Sequence, residues 1–245
     1  MSRERLDVHR QVWQRKAVLR AVYQVWFAEL LEQASGRVVE VGAGPGLLAG
    51  FAREQRPELR WTATDLIAAP WNHLAADASR LPFLTGSVDT VLGLDVVHHL
   101  ARPLDFLGEA GRILRPGGRL AVVEPWVTPL SFPVYRWLHE EGCRLDLDPT
   151  APFAGAEEKD AFAGDAAVLR RLVSLTSHGT WAGLALSPPR VRPENTFAYL
   201  LSLGFQPGCL LPRRLVPPFL WLDRATRFAA GWLGMRALAV WERLG

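Results

Sequence analysis

The hydrophobic pattern of the chain changes its period near Gly36. Before it, apolar residues recur every three or four positions over residues 11–34, which predicts an amphipathic helix that ends at this glycine. After it, the short β-branched run 37–41 leads directly into glycines. Such a run is typical of a buried parallel strand that feeds a tight turn. The sequence therefore begins a strand–turn–helix unit here.

Three further strands are predicted at 59–64, 88–94 and 119–124. Between the last two, a helix begins at Pro103 and ends at the tetrapeptide Arg115-Pro116-Gly117-Gly118, which combines a helix stop with a tight turn. Strands that alternate with helices indicate a parallel sheet that is covered on both faces.

The regular alternation stops after Trp126. Residues 128–192 contain several proline-rich joints and one predicted helix at about 157–175. Beyond them the elements are regular again. They are a helix at 193–203, a strand at 209–215, an aromatic segment at 219–233 and a last strand at 237–241.

A glycine-rich turn, Glu40-Val41-Gly42-Ala43-Gly44-Pro45-Gly46, follows the first strand. Glycines let the backbone approach a ligand closely, and ligands bind beyond the carboxyl ends of strands in open parallel sheets. Leu47 stands where a dinucleotide fingerprint needs glycine, and no Gly-Lys-Ser/Thr follows. Asp65 ends the second strand, a position suited to accepting hydrogen bonds from both hydroxyls of a ribose.

Four motifs in this order resemble class I S-adenosylmethionine-dependent methyltransferases of the type 11 group, which includes quinone and small-molecule methylating enzymes. The motifs are the glycine turn, Asp65 after the second strand, Asp77-Ala78-Ser79-Arg80-Leu81-Pro82-Phe83, and Arg112-Ile113-Leu114-Arg115-Pro116-Gly117-Gly118. The resemblance covers 36–126 closely and is looser at 193–210 and 237–243. It implies an α/β, Rossmann-like, seven-stranded and mostly parallel sheet with one antiparallel strand near the C-terminus. It also implies helices on both faces and a helical lid insertion after strand five.

By this resemblance, residues 1–245 form a single methyltransferase domain. Its parts would be an N-terminal helical segment at 1–35, a cofactor-binding core at 36–127, a substrate-lid insertion at 128–192, and a C-terminal helix and strands at 193–245 with an aromatic insertion at 217–235.

The resemblance also implies S-adenosylmethionine as co-substrate and S-adenosylhomocysteine as product. Glu40 would orient the glycine loop and the methionine amino group, and Asp65 would hold the ribose. The remaining implied cofactor residues are Gly42, Ala43, Gly44 and Gly46 under the methionine, Leu66, Asp77 and Ala78 around the adenine, and Leu94 and Asp95 near the sulfonium. Only twelve residues separate Asp65 from Asp77, which predicts a loop instead of the usual helix after strand two.

Catalysis of methyl transfer mainly requires that acceptor, methyl and sulfur are aligned and that water is excluded. A hydroxyl acceptor would also need a general base. Three residues are candidates: His98 after the fourth strand, Glu124 at the end of the fifth, and His139 in the insertion. Each has a structural alternative, namely helix capping for His98, a strand-end salt bridge for Glu124 and a solvated acidic face around His139. The acidic residues near His139 match no zinc or calcium spacing, so no metal site is predicted.

Aromatic residues are concentrated in the two inserted segments, and they suggest a hydrophobic or lipid-linked acceptor. The alternative is that they only pack the lid onto the domain. The 219–233 segment is too polar and too short to span a bilayer. As an amphipathic helix with aromatics near cations, it suits either a peripheral membrane contact or the mouth of a site for an apolar substrate.

Composition narrows the remaining choices. The 28 lysines and arginines exceed the 25 acids by only three charges and are scattered along the chain, so nucleic acid is not expected as a partner. A cytoplasmic location is expected, because the chain has two cysteines without a CxxC pair and begins with charged residues that do not form a signal sequence. The 219–233 segment adds an expected contact with the inner membrane surface. The sequence leaves the oligomeric state open.

Two other function classes share part of this pattern. A non-catalytic S-adenosylmethionine-binding subunit of a partner enzyme would keep the same glycine loop and acids. A nicotinamide oxidoreductase is disfavoured by Leu47. Methylation of nucleic-acid bases is disfavoured because Asp95-Val96-Val97-His98 replaces the usual Asn/Asp-Pro-Pro-Tyr/Phe.

Overall fold

A seven-stranded sheet forms the centre of the computed structural model, which describes residues 3–138, 141–151 and 164–245. The strands are β1 (Arg37–Val41), β2 (Arg60–Asp65), β3 (Leu74–Ala75), β4 (Val88–Leu94), β5 (Leu114–Pro125), β6 (Arg190–Glu194) and β7 (Arg236–Glu242). Their order is β3-β2-β1-β4-β5-β7-β6. β7 is antiparallel to both of its neighbours, and the other pairs are parallel. The predicted fold class is confirmed, including the antiparallel strand near the C-terminus.

Helices cover both faces of this sheet. They are α1 (Arg3–Arg15), α2 (Ala17–Gln33), α3 (Leu47–Gln55), α4 (Pro103–Ile113), α5 (Ser131–Trp137), α6 (Val168–Leu175), α7 (His178–Gly183), α8 (Phe197–Ser202), α9 (Val216–Ala225) and α10 (Ala230–Leu233). Because side chains alternate along a strand, Val38 packs with α2 and α3 while Val39 packs with α4 and α6 on the other face. The two layers bury the sheet between them.

The single helix predicted at 11–34 is wrong in one respect, since the structure has two helices there. The backbone leaves helical dihedrals at Lys16 (φ −105°, ψ 82°). Its ammonium group donates hydrogen bonds to the carbonyls of Gly204 and Gln206, at 2.7 and 3.1 Å. The break separates α1 from α2, and α1 buries Leu6 against the site described below.

Two predictions near the C-terminus are also wrong. Residues Pro193 and Glu194, predicted to begin a helix, belong to β6, and α8 begins only at Phe197. Proline is tolerated because β6 is the edge strand, where its missing N–H leaves no ladder partner unsatisfied. Residues 209–215 form no strand but lead into a 3₁₀ turn at Arg213–Leu215. The last strand, predicted at 237–241, is confirmed as β7.

The 128–192 insertion contributes α5, α6 and α7 in its described part. α6 covers 168–175 of the helix predicted at 157–175, of which 157–163 lie outside the described residues. α6 and α7 pack on the sheet, where Trp181 meets Trp241 with ring centroids 5.9 Å apart. A lid role for the insertion stays a prediction.

The link between β2 and β3 contains no helix across residues 66–73, which confirms the predicted loop. The two-residue strand β3 itself was missed. The predicted turn at 115–118 lies within β5, where the register with β4 shifts between Val88 and Thr90. None of the helices in the described residues is long and apolar enough to cross a bilayer.

Candidate functional site

A cavity of about 670 Å³ opens beyond the carboxyl ends of β1, β2, β4 and β5. It brings together ten of the eleven residues predicted to bind the cofactor. Those that line it are Glu40, Gly42, Ala43, Gly44, Asp65, Leu66, Asp77, Ala78, Leu94 and Asp95. The eleventh, Gly46, lies at the start of α3 instead. Placement in one cavity supports the predicted set, while the contact assigned to each residue stays a prediction.

The glycine loop adopts a conformation that side chains disfavour. Gly42, Gly44 and Gly46 have φ values of +66°, +49° and +71°. A Cβ at Gly42 would lie 2.6 Å from a methyl of Val96. The Asp65 carboxylate accepts the N–H of Gly44 at 2.7 Å, so it supports the loop as well as facing the cavity.

Glu40 is a buried carboxyl beneath this loop. Its Oε2 accepts a hydrogen bond from the indole N–H of Trp61 at 2.8 Å. Burial raises the pKa of Glu40 to about 8, the charge of Asp65 adds to the rise, and the Trp61 hydrogen bond opposes it. The carboxyl is therefore neutral at pH 7 in the ligand-free chain, and a nearby cation would favour its ionisation.

Trp71 and α1 support the glycine loop, a role that the sequence reading missed. The indole N–H of Trp71 donates to the carbonyl of Gly44 at 2.7 Å. The guanidinium of Arg10 lies 4.3 Å from the Trp71 ring centre and donates to the carbonyl of Pro45 at 2.6 Å. Leu6, also on α1, lines the cavity. Their only sequence signal was an isolated tryptophan in a shortened loop.

Glu124 is fully buried and does not line the cavity. Its Oε1 accepts the backbone N–H groups of Val96 and Val97, both at 2.8 Å. Its Oε2 lies 2.5 Å from Nδ1 of His98. The structure thus places Glu124 behind His98, where it fixes the orientation of the imidazole.

His98 faces the cavity and is held between two carboxylates. Its Nε2 lies 3.1 Å from Oε2 of Glu141. Burial by itself would lower the pKa of His98, but Glu124 and Glu141 raise it to about 10. The ring is therefore an imidazolium at neutral pH, a donor at both nitrogens and not a free base.

His98, His99 and Glu141 also place one ligand atom each within 4.8 Å of one another. The prediction of no metal stays a prediction. His139, the third catalytic candidate, lies outside the described residues.

An ion pair closes the opposite wall of the cavity. Asp95 directly follows β4 and has φ +55°, and its carboxylate accepts a hydrogen bond from Arg236 at the start of β7. Arg236 is buried, and its guanidinium lies 4.4 Å from the ring centre of Trp26 and 5.1 Å from that of Tyr199. Sequence reasoning missed Arg236, whose one signal was a charge at the beginning of an apolar strand.

The aromatic side chains of the insertions divide into buried and exposed groups. Trp181 is buried against the sheet, and Phe132 and Phe219 are partly buried. Phe153 lies outside the described residues. The exposed group comprises Trp137, Trp221, Phe228 and Trp232, at 71%, 69%, 91% and 70%. These aromatics do not line the cavity.

A glycine turn after β1, acids at the ends of β1, β2 and β4, and one antiparallel strand among parallel ones define the class I S-adenosylmethionine-dependent methyltransferase fold. Comparison with known proteins agrees. Residues 24–122 match the methyltransferase domain family of type 11. This match supports the predicted resemblance over residues 24–122 and agrees with S-adenosylmethionine as the co-substrate.

Individual relatives give the same result. The chain is 30% identical over 123 residues to the ubiquinone/menaquinone biosynthesis C-methyltransferase UbiE of Dinoroseobacter shibae, which covers 42% of this chain and 49% of that protein. It thus spans about half the length of the curated relatives it matches. A methyltransferase from Archaeoglobus fulgidus has a TM-score of 0.52 at 13% identity, covering 90% and 94% of the two chains. The geranyl diphosphate C-methyltransferase of Streptomyces coelicolor gives 0.51 at 14% identity, covering 91% and 79%. Both structures show the shared fold.

Proposed function

We propose that this chain transfers a methyl group directly from S-adenosylmethionine to a small, hydrophobic or lipid-linked molecule. The observation that carries the proposal is the cavity of about 670 Å³, a size common for small-molecule sites. Both the predicted cofactor residues and several aromatic side chains line it. An acceptor bound there would lie next to the methyl donor.

The cofactor half follows from the loop geometry. Close approach of the backbone at Gly42 and Gly44 leaves room for the methionine portion, and Glu40 beneath the loop would pair with its amino group. Asp65 keeps lone pairs free for ribose hydroxyls, although each oxygen already accepts one backbone N–H. Asp77 and the neighbouring backbone would serve the adenine.

An acceptor would meet aromatic side chains in this cavity. Its lining includes Tyr23, Phe27, Phe106, Tyr199 and Phe205, together with the charged groups of His98, Glu141 and the Asp95–Arg236 pair. A carbon, nitrogen or oxygen acceptor with an apolar body would be desolvated there, which keeps water from the reacting atoms. The name of the UbiE relative, a quinone C-methyltransferase, supports an apolar acceptor of this kind.

His98 is the candidate to touch the acceptor. Its Nε2–H faces Glu141, so it would donate to an acceptor heteroatom by exchanging this partner, and Glu124 would act as a positioning residue through it. A hydroxyl acceptor could pass its proton to Glu141, which also lines the cavity. A role for His139 stays a prediction. A lipid-linked acceptor would be met at a membrane surface, which fits the predicted peripheral contact of 219–233.

The test supplies methyl-labelled S-adenosylmethionine and a cell extract of the source organism, then separates label between aqueous and organic phases. Gly44→Asp is the blocking variant, because a Cβ at Gly44 meets nothing closer than 3.9 Å and its carboxylate would add charge beside Asp65. Gly50→Asp on α3 is the matched control, since Gly50 has open space within 4 Å.

Label in the organic phase with the wild type and the Gly50 variant, but not with the Gly44 variant, is the expected result. Tight cofactor binding without label in either phase would overturn the proposal and favour a non-catalytic subunit. Label confined to the aqueous phase would retain the methyltransferase and refute the apolar acceptor.

A further inference from the structure

Four large apolar side chains from neighbouring segments are exposed to solvent. They are Leu130, Trp221, Phe228 and Trp232, with exposures of 48%, 69%, 91% and 70%, and we refer to them as the aromatic face. Single exposed apolar residues are ordinary, whereas a cluster of large ones marks an interaction surface. About nine tenths of Phe228 is exposed, so the side chain buries little apolar surface in the isolated chain.

The members of the aromatic face lie in two stretches of the chain that meet. Trp221 lies on α9, Phe228 in the 3₁₀ turn Arg227–Ala229 and Trp232 on α10, three short elements that follow one another along the chain. Leu130 joins them from the other insertion, because its N–H donates to the carbonyl of Trp232 at 3.2 Å.

The exposed charges of this segment that have no acidic partner within it are arginines. Arg213, Arg214 and Arg224 are exposed, whereas Arg227 pairs with Glu29 at 3.2 Å. The one acid between residues 206 and 235, Asp223, points inward, where its carboxylate accepts the N–H groups of Phe197 and Ala198 at 2.8 and 3.3 Å. The segment therefore presents aromatics and cations together, with its acid withdrawn from the surface.

The aromatic face lies at the same edge of the sheet as the cavity. Pro125 at the carboxyl end of β5 pairs with Arg236 at the beginning of β7, and both line the cavity. Leu130 follows Pro125 by five residues and Trp232 precedes Arg236 by four. If the aromatic face binds a surface, an apolar molecule that leaves this surface would therefore be close to the cavity.

We propose that the aromatic face docks onto the surface of an anionic lipid bilayer, with Trp221, Phe228 and Trp232 at the level of the headgroups and the arginines beside anionic lipids. Tryptophan favours this interface, and cations are attracted to its negative potential. Charge complementarity selects the bilayer over a second copy of this chain, since two such faces would bring arginines against arginines. The proposal deepens the proposed function by naming the surface on which a lipid-linked acceptor is met.

The test is co-sedimentation of the full chain with vesicles, in the absence of cofactor. One set contains phosphatidylglycerol and phosphatidylcholine in equal parts, and the other contains phosphatidylcholine alone. We expect binding to the anionic set that weakens with added salt. The double variant Phe228→Ala/Trp232→Ala should bind at least roughly tenfold more weakly, because two large side chains no longer enter the interface. Leu84→Ala, which removes an 81% exposed leucine near the amino end of β4, should bind as the wild type does.

The electrostatic part is tested with Arg213→Gln/Arg224→Gln. Each arginine removed should weaken binding to the anionic vesicles roughly fivefold and leave binding to neutral vesicles unchanged. Arg53→Gln, an exposed arginine on α3, is the matched control and should have little effect.

Three results would overturn the docking proposal. They are equal binding to both vesicle sets, no binding to either, or a dimer in solution that Phe228→Ala dissociates, which would assign the face to a second copy. Because sedimentation needs neither cofactor nor acceptor, these outcomes are independent of the methyl-transfer assay. A chain that docks but transfers no methyl group would refute only the proposed function.

Discussion

Binding of S-adenosylmethionine should release a proton from Glu40. Its pKa of about 8, against an ordinary value of 4.5, means that ionising this carboxyl costs about 5 kcal/mol more than in water. At pH 7 roughly nine tenths of the chains hold the carboxyl neutral. If the amino group of the cofactor pairs with Glu40, that proton must leave when the cofactor binds.

The sign of the pH dependence follows from this order of events. Below pH 8 the bound state has lost a proton that the free state holds, so affinity rises with pH. Between pH 6 and pH 7.5 the wild type should gain roughly twentyfold in affinity. Glu40→Gln keeps an acceptor for Trp61 but cannot ionise. Its affinity should stay flat over the same range.

Calorimetry in two buffers of different ionisation enthalpy measures both the affinity for the cofactor and the number of protons released when it binds. Glu29→Gln is the matched control, because burial also raises the pKa of Glu29 to about 8 while its carboxylate pairs with Arg192 and Arg227 away from the cavity. It should keep the wild-type proton release. A wild-type affinity that does not change from pH 6 to pH 7.5, or proton release that persists in Glu40→Gln, would refute the pairing of Glu40 with the cofactor.

Three shorter predictions concern stability and binding. The raised pKa of His98 stabilises the folded chain. This contribution is complete below pH 6.5, the ordinary pKa of histidine, and is lost as pH rises through about 10. Chemical denaturation should therefore show that the free energy of unfolding falls by about 2 kcal/mol from pH 8 to 10, and His98→Gln should not show this fall. Asp95→Asn leaves the buried guanidinium of Arg236 without its counter-charge and should lower the free energy of unfolding in urea by about 3–5 kcal/mol, whereas a loss below about 1 kcal/mol would contradict the pairing. Gly42→Ala combines a left-handed φ of +66° with a clash at 2.6 Å and should abolish cofactor binding in calorimetry, and retained binding would mean that the loop moves freely.

The strands and the glycine loop could be predicted because their signals are local. The run 37–41, the glycines that follow it and Asp65 each specify a backbone conformation or a strand end within a few residues. The break at Lys16 has no such signal, since its hydrogen bonds reach Gly204 and Gln206 far along the chain. The helix predicted to begin at Pro193 was wrong for a related reason. Only the place of this proline in the edge strand, a property of the whole sheet, makes it acceptable in β6.

The candidate site divides in the same way. The eleven predicted cofactor residues came from motifs in one continuous stretch of the chain, and ten of them line the cavity. Arg236 was missed because its partner, Asp95, is 141 positions away, and Trp71 was missed because its role depends on contacts with α1. Glu124 was located correctly at a strand end, but only the packing shows that it supports His98 from behind instead of reaching the cavity.

The functional site extends beyond the family domain, because it also includes α1. The domain shared with relatives spans 24–122, yet two residues before it serve the site: Leu6 lines the cavity, and Arg10 donates to the carbonyl of Pro45 in the glycine loop. A fragment that begins at residue 24 would keep every strand of the sheet and still hold its cofactor poorly. For the same reason, occupancy of the cavity should shield α1 from proteases, and the rate at which this helix is cleaved would report how long S-adenosylhomocysteine stays bound.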